Sequence, residues 1–181
     1  KEIPHNKQPT YIRTCADYRE QKLTRNYEEG HVTLSMPGYV EKALQRFIRP
    51  PPQKPEHSPH PWTQPDYGAK IQYATQEDTS DSLDKQGIQR LQEIVGTFLF
   101  YGRAIDNTML VTLGTIAAAQ THGTTKTMDA VVHLLNYAAT HPEAAIRYYS
   151  SDMILYVHSD ASYLSEPNAR SRVGGYFYLG N

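Results

Sequence analysis

The sequence has almost no cysteine and no long apolar run. Cys15 is the single cysteine among 181 residues, which excludes an internal disulfide framework and any zinc site with two or more thiolate ligands. No stretch approaches the roughly 18 consecutive apolar residues of a membrane-spanning helix, and the first residues, KEIP, lack the pattern of a signal peptide. We therefore expect an intracellular protein of the cytoplasm or nucleus, neither secreted nor membrane-bound. Because it does not begin with Met, we expect a piece of a longer protein.

An excess of charge of one sign is also missing. The chain carries 18 Lys and Arg against 19 Asp and Glu, a formal net charge of −1, which rules out a domain-wide basic field as the main route to nucleic acid. The balance hides an asymmetry, because residues 1–60 have a net charge of +3 and residues 61–181 one of −4. The length suits one ordinary domain or two small ones.

Proline is abundant and unevenly placed. Seven of the twelve prolines lie between residues 50 and 65, where each fixes φ and removes a backbone donor, so that neither a helix nor a strand can continue. The sequence therefore predicts a proline-rich connector over residues 50–83, partly in the polyproline II conformation. A polyproline ligand for a partner domain is the functional alternative. Residues 1–22 fit no assignment.

Residues 23–49 combine a strand pattern with a helix pattern. The alternating segment HVTLS at 31–35 follows a turn and predicts the second strand of a hairpin. Pro37 then marks the start of a helix, with Ser35 as its cap. The helix should bury one apolar face, formed by Val40, Leu44, Phe47 and Ile48.

Three basic residues of this helix, Lys42, Arg46 and Arg49, lie largely off the apolar face. They could contact phosphate groups of a nucleic acid. A solvated face without a ligand is an equally good interpretation.

Residues 84–150 are predominantly helical by pattern. Asp84 can cap a first helix, a second begins at Thr108, and a third follows the break at Gly123 and stops at His141-Pro142. Short connections favour a compact helical bundle. The expected core residues are Ile88, Leu91, Val95, Phe98, Leu99, Met109, Leu110, Leu113, Ile116, Ala117, Met128, Val131, Val132, Leu134, Leu135 and Ala138.

The end of the chain returns to strand periodicity. Residues 146–149 and 153–159 read as two strands joined by a turn at 150–152, and residues 173–179 as the antiparallel neighbour of the second. The apolar run MILYVH at 153–158 is typical of a strand covered on both faces. With the helices, these strands predict the α+β class.

A carboxylate follows this apolar run directly. Asp160 lies in the segment HSDAS, and a rigid strand is a suitable element from which to project a metal ligand such as a carboxylate toward Mg²⁺. A turn or capping residue is the alternative reading of Asp160. The neighbouring histidines His57 and His60 lack the further ligands that a zinc site needs.

Several blocks resemble one family in the order in which they occur. The segment MILYVHSDASYLSEPNARSRVGGYFYLGN at 153–181 resembles the opening of the ribonuclease H domain of copia-type retrotransposon polyproteins. The segment VTLSMPGYVEKALQRF at 32–47 resembles the passage from palm to thumb of the copia-type reverse transcriptase. The segments at 92–110 and 134–148, QEIVGTFLFYGRAIDNTML and LLNYAATHPEAAIRY, resemble its thumb and connection helices.

The resemblance implies a division of the chain. Residues 23–49 would be the end of the palm and the first thumb helix, residues 84–150 the helical thumb and connection region, and residues 151–181 a truncated start of a ribonuclease H-like fold. The polymerase aspartates of the family lie upstream of the matched region, and the chain contains no Asp-Asp pair.

The resemblance also implies site residues and partners. Asp160 matches the first of the four ribonuclease H carboxylates that hold two Mg²⁺ ions in the parent enzyme, and neither Asp152 nor Glu166 matches another. Lys42, Arg46 and Arg103 would face the RNA/DNA template–primer, and the remainder of the polyprotein would be the other partner.

One carboxylate cannot assemble a two-metal site, so we expect this piece to be inactive alone and to bind no metal. Two other hypotheses stay open. One is a non-catalytic helical module, derived from a retroelement, that binds nucleic acid or another protein. The other is an independent metal hydrolase built on Asp160. The excess of basic residues over residues 1–60 is only +3. Binding to nucleic acid should therefore be weak and sensitive to salt.

Overall fold

The computed structural model describes residues 21–61, 78–164 and 170–181. The unassigned N-terminal segment as far as residue 20, with Cys15, lies outside the described residues. So do residues 62–77 of the predicted connector and residues 165–169 of the predicted loop, with Glu166.

The described residues form four α-helices and two antiparallel sheets, which confirms the predicted α+β class. Two short 3₁₀ turns, Asn107–Met109 and Gln120–His122, flank the third helix. In chain order the elements are β1 Lys22–Asn26, β2 His31–Ser35, α1 Tyr39–Arg46, α2 Lys85–Ala104, α3 Leu110–Ala119, α4 Thr125–Thr140, β3 Ala145–Tyr149, β4 Ile154–Ala161 and β5 Val173–Gly180.

Helix α1 begins and ends differently from the sequence prediction. Its N-cap is Gly38, which has a left-handed φ of 74° and provides no side-chain cap, so the prediction of Ser35 as the cap was wrong. Ile48, predicted on the buried face, is 83 % exposed and has a φ of 51°. The helix has ended by then, because the Ile48 amide donates to the Gln45 carbonyl in a turn. A residue beyond the helix no longer follows its periodicity.

The cap of α2 agrees with the sequence prediction, and α4 begins after the predicted break at Gly123. The Asp84 carboxylate accepts a hydrogen bond from the Gly87 amide at 2.7 Å, which satisfies one of the free amides at the start of α2. Thr124 and Thr127 form a reciprocal capping box at the start of α4. Helix α3 itself begins at Leu110, after the 3₁₀ turn.

The four helices share one core. Helix α1 packs on α4, and α2, α3 and α4 pack on one another, which confirms the predicted bundle. Most of the predicted core residues are fully or partly buried. The buried apolar residues are Met36, Val40, Ala43, Phe47, Leu91, Ile94, Val95, Phe98, Tyr101, Ile105, Met109, Leu113, Ile116, Val131, Leu134, Leu135, Tyr137 and Ala138.

The closeness of β3 and β4 in sequence suggested that they form a hairpin, but they do not pair with each other. Strand β3 pairs with β2 instead, with Arg147 opposite Thr33, and completes a sheet in the order β1-β2-β3. One face of this sheet has half-buried Leu34 packed against the helical core. Pairing with β2 covers the second edge of that strand, which a turn to β4 would have left open.

Strands β4 and β5 form a separate antiparallel hairpin, as predicted. The prediction that β4 is covered on both faces was wrong, because Leu155 and Val157 are more than half exposed. None of the described helices covers these side chains. The Arg172 guanidinium links the hairpin to α3 by donating to the Thr115 hydroxyl at 3.0 Å.

Residues 50–61 contain neither helix nor strand, as predicted for the connector. They lie along α4 through polar contacts, including an ion pair between His133 and Glu56 in which the His133 Nδ1 lies 3.9 Å from a Glu56 carboxylate oxygen. The Glu56 amide donates to the Thr140 hydroxyl at 3.0 Å, the His133 Nε2 lies 2.9 Å from the Ser58 carbonyl, and His57 meets His141.

Within the described residues, none of the helices combines the length and the apolar character needed to cross a membrane.

Candidate functional site

Asp160 lies near the end of β4, opposite Gly174 of β5. Its side chain is exposed, and its Oδ1 accepts a hydrogen bond from the amide of the next residue, Ala161, at 2.8 Å. This contact is the local side-chain-to-backbone type that Asp often makes at the end of an element. The carboxylate is thus oriented, and a second carboxylate oxygen remains available to a ligand.

The neighbours of Asp160 on the same face are aromatic rather than acidic. His158 and Tyr178 stack with centroids 5.8 Å apart, and Tyr156 stacks on Tyr178 at 5.2 Å. Tyr176 meets Tyr178 at 5.4 Å in a tilted arrangement. The face therefore presents a row of rings beside one carboxylate.

This arrangement does not fit a two-metal centre. In the part of the chain that the structure describes, no three His, Cys, Asp or Glu side chains lie close enough together to hold a metal ion. A two-metal site needs several oxygen ligands to clamp the attacking and leaving oxygens. Asp160 on its own cannot supply this geometry.

The predicted nucleic-acid contacts Lys42 and Arg46 are exposed one helical turn apart on α1. Arg46 already has two neighbours, because its guanidinium lies 3.5 Å from a carboxylate oxygen of Glu93 and 5.4 Å from the centre of the Phe47 ring. Both Arg46 and Glu93 are well exposed, so their ion pair is weak and can open to a phosphate.

Arg103 lies in the last turn of α2 and makes no hydrogen bond or ion pair with the described residues. It is ten residues beyond Glu93, the neighbour of Arg46. In an ideal helix this separates Arg103 from Glu93 by about 15 Å along the axis and about 80° around it. Arg46 and Arg103 therefore do not form a single cluster.

A pair of histidines lies where the connector meets the end of α4. His57 Nδ1 and His141 Nε2 are 3.2 Å apart, and the Tyr137 ring packs on His141 at 5.0 Å between centroids. His57 was considered from the sequence together with His60, whereas its partner His141 was missed. Because 84 residues separate the two, no local spacing could have revealed the pair.

An acidic residue missed by the sequence analysis secures the start of α4. Asp78 accepts hydrogen bonds from the hydroxyls of Thr124 and Ser80. These hydrogen bonds, that from Thr124 above all, lower the pKa of the Asp78 carboxyl to about 2. A carboxylate at this position also interacts favourably with the helix dipole. Its role is structural, since its acceptor capacity is directed to the chain itself.

A buried polar network links the connection between α2 and α3 to α4. The Thr108 hydroxyl contacts Asp106 Oδ1 at 2.5 Å and the Tyr137 hydroxyl at 2.9 Å, and Asp106 is almost fully buried. Nearby, burial raises the pKa of the Tyr101 hydroxyl above its ordinary value of 10.0. Each of these polar groups has a partner, so the network stabilises the bundle rather than forming an open site.

Comparison of the chain with protein-family models, with curated proteins and with solved structures found no match in any of the three.

Proposed function

We propose that the chain is a segment of a copia-type retrotransposon polyprotein, covering the thumb and connection region of a reverse transcriptase and the start of a ribonuclease H-like domain. The parent enzyme would synthesise DNA on an RNA template and degrade the RNA of the hybrid. This segment would contact the template–primer, or support the parts that do, without catalysis of its own.

The order of the elements carries the proposal. A hairpin and helix are followed by a helical bundle, then by a strand that returns to the first sheet, and last by a separate antiparallel hairpin with Asp160 on its first strand. The resembling sequence blocks occur in this same order.

The basic residues of α1 and α2 support contact with a nucleic acid backbone. Arg103 has no hydrogen-bond or ion-pair partner among the described residues, and the ion-pair partner of Arg46, Glu93, is exposed. Two or three phosphate contacts would give a slope of about −2 to −3 in a plot of log affinity against log salt concentration. Binding of this kind is weak and independent of base sequence.

The test is binding of the full chain to a labelled RNA/DNA hybrid over a range of salt concentrations. Arg46→Ala and Arg103→Ala should each make the salt slope shallower by about 1, because each removes one phosphate contact. Lys126→Ala, in the first turn of α4, is the matched control and should leave the slope unchanged. Tight sequence-selective binding at physiological salt, or no binding at low salt, would contradict the proposed contact.

Cleavage provides a second test. We expect no degradation of the hybrid in Mg²⁺ by the wild-type chain, and therefore no difference from Asp160→Asn. Robust cleavage that Asp160→Asn abolishes would instead support an independent metal hydrolase.

A further inference from the structure

Two of the contacts between the connector and α4 involve histidine side chains, whose charge depends on pH. The nearest ring nitrogens of His57 and His141 lie 3.2 Å apart. The carboxylate of Glu56 lies 3.9 Å from His133 Nδ1. We call the connector docked when residues 56–58 make these contacts with α4. Because these residues belong to neither a helix nor a strand, such contacts hold them against the bundle.

The contact between His57 and His141 tolerates one added proton but not two. A neutral imidazole has one N–H donor and one acceptor nitrogen, so one ring donates to the other. A first proton leaves this hydrogen bond in place, because an imidazolium still donates to the neutral ring. A second proton removes the last acceptor and places two positive rings with their nearest nitrogens 3.2 Å apart. Even at the dielectric constant of water, this repulsion disfavours the docked connector about tenfold.

The contact of His133 responds to acid in the opposite direction. His133 Nε2 lies 2.9 Å from the Ser58 carbonyl, which only accepts, so this nitrogen carries a proton and donates. Protonation of Nδ1 adds an ion pair with Glu56 and leaves the bond to Ser58 intact. Both side chains of this pair are partly exposed, and an exposed ion pair shifts an equilibrium by at most about fivefold. It therefore offsets only part of the repulsion between His57 and His141.

The remaining charged or titratable groups near the two histidines do not oppose this effect. Those close to them in sequence or contact are Arg49 after α1, Lys54 and His60 of the connector, Tyr137 of α4 and Glu143 before β3. All except His60 are residue types that largely keep their charge between pH 5 and pH 7. The His60 ring makes no hydrogen bond or ion pair with the described residues.

We propose that the contact between His57 and His141 is a pH-sensitive latch, which keeps the connector docked at neutral pH and releases it in mild acid. The undocked connector and α4 take up one more proton at this pair than the docked state does. Docking therefore weakens as the pH falls, in the range around pH 6.5 where an unperturbed imidazole titrates. The latch requires only these contacts and is independent of the proposed retroelement origin.

The test is hydrogen exchange of the Glu56 amide in the full chain, followed by NMR at pH 7 and at pH 5. In the docked connector this amide donates to the Thr140 hydroxyl at 3.0 Å. Its protection is the exchange rate of an unfolded peptide at the same pH divided by the observed rate. From pH 7 to pH 5 the protection in the wild type should fall about fivefold. The amide of Leu134, inside α4, should stay protected, which excludes general unfolding in acid.

Three variants separate the two histidine contacts. His141→Gln places an amide at the position of Nε2, which bonds to His57 without a second charge, so the protection of Glu56 should stay within twofold between the two pH values. His57→Asn makes the same change from the connector side, at the position of Nδ1, and should behave alike. His133→Gln keeps a donor to Ser58 but removes the cation beside Glu56, so its protection should fall more steeply, about tenfold.

His122→Gln removes an exposed histidine outside these contacts, and this matched control should follow the wild type. Protection in the wild type that does not change with pH would overturn the proposal. So would an equal fall in the wild type and in His141→Gln or His57→Asn. A smaller fall in His133→Gln than in the wild type would also contradict it, because His133 would then be the group through which acid releases the connector.

Discussion

The hydroxyl of Tyr101, in the middle of the helical core, accepts a hydrogen bond from the backbone amide of Ala144 at 3.2 Å. Ala144 immediately precedes β3, so this bond fixes the point at which the chain leaves α4 and enters the sheet. The Tyr101 ring also stacks on Tyr39 of α1, with centroids 5.5 Å apart. One side chain of α2 thus contacts both α1 and the start of β3.

Replacing Tyr101 with Phe should lower the free energy of unfolding by about 1–2 kcal/mol, because the half-buried Ala144 amide loses its acceptor. Denaturant unfolding measures this change. Tyr148→Phe, which alters an exposed ring of β3, is the control and should change the stability little. Equal stability of wild type and Tyr101→Phe would contradict the structural role of this bond.

The raised pKa of Tyr101 should make the free energy of unfolding depend on pH in the alkaline range. A folded-state pKa above the unfolded value contributes stability that is present below the unfolded pKa of 10.0 and is lost as the pH rises above it. We expect the wild type to lose stability above pH 10 more steeply than Tyr101→Phe. Parallel loss in the two proteins would show that other groups govern alkaline unfolding.

Asp78 should also contribute to the stability of the fold, with the opposite pH dependence: this contribution is lost in acid. Its folded-state pKa of about 2 lies below the ordinary 3.8, so its contribution is present above pH 3.8 and is lost as the pH falls through 2. Asp78→Asn should therefore be less stable than the wild type at neutral pH, with the difference vanishing in acid. Urea unfolding followed against pH measures this difference, and Asp129→Asn, which changes another exposed carboxylate at α4, is the matched control.

Arg90 holds the end of α1. Its guanidinium donates to the Phe47 carbonyl at 2.7 Å, and Phe47 is the C-cap residue of that helix. Because this bond satisfies a carbonyl that the helix leaves free, Arg90→Met should destabilise the chain by about 1 kcal/mol. Arg103→Met, on the same helix, should cost much less in the same thermal or denaturant unfolding experiment.

The His57–His141 contact should control the opening of the connector. His141→Phe keeps a ring beside Tyr137 but removes the hydrogen bond to His57, so amide exchange at Glu56 should become about 2–5 times faster. Hydrogen exchange followed by NMR would measure this rate. His122→Phe, outside the contact, should leave it unchanged; acceleration by both variants would point to general destabilisation.

Much of the helical architecture could be predicted from the sequence, because its signals are local. Asp84 and Thr124 cap their helices through bonds to residues only three positions away. The spacing of apolar residues in α2, α3 and α4 reflects the helical repeat itself. The end of α1 was harder to predict, since the apolar residue Ile48 continues the pattern beyond the point where the backbone leaves the helix.

The pairing of β3 could not be read from local pattern. Its partner β2 lies more than 100 residues earlier in the chain, and a strand's sequence records its alternation but not the edge to which it adds. The same limit applies to the candidate sites. The sequence singled out Asp160 and the basic residues as candidates, but it did not show that Arg46 lies beside Glu93 or that His57 meets His141.

The sequence by itself determined the four helices, most of their core and the antiparallel β4–β5 hairpin, because these depend on periodicity, caps and neighbours along the chain. Tertiary structure alone decided which sheet β3 joins and whether the apolar run of β4 is covered. The run has the composition of a buried strand, and yet burial requires a second surface. Within the described residues the chain does not bring one to it, because its helices pack on one another and on the β1–β3 sheet.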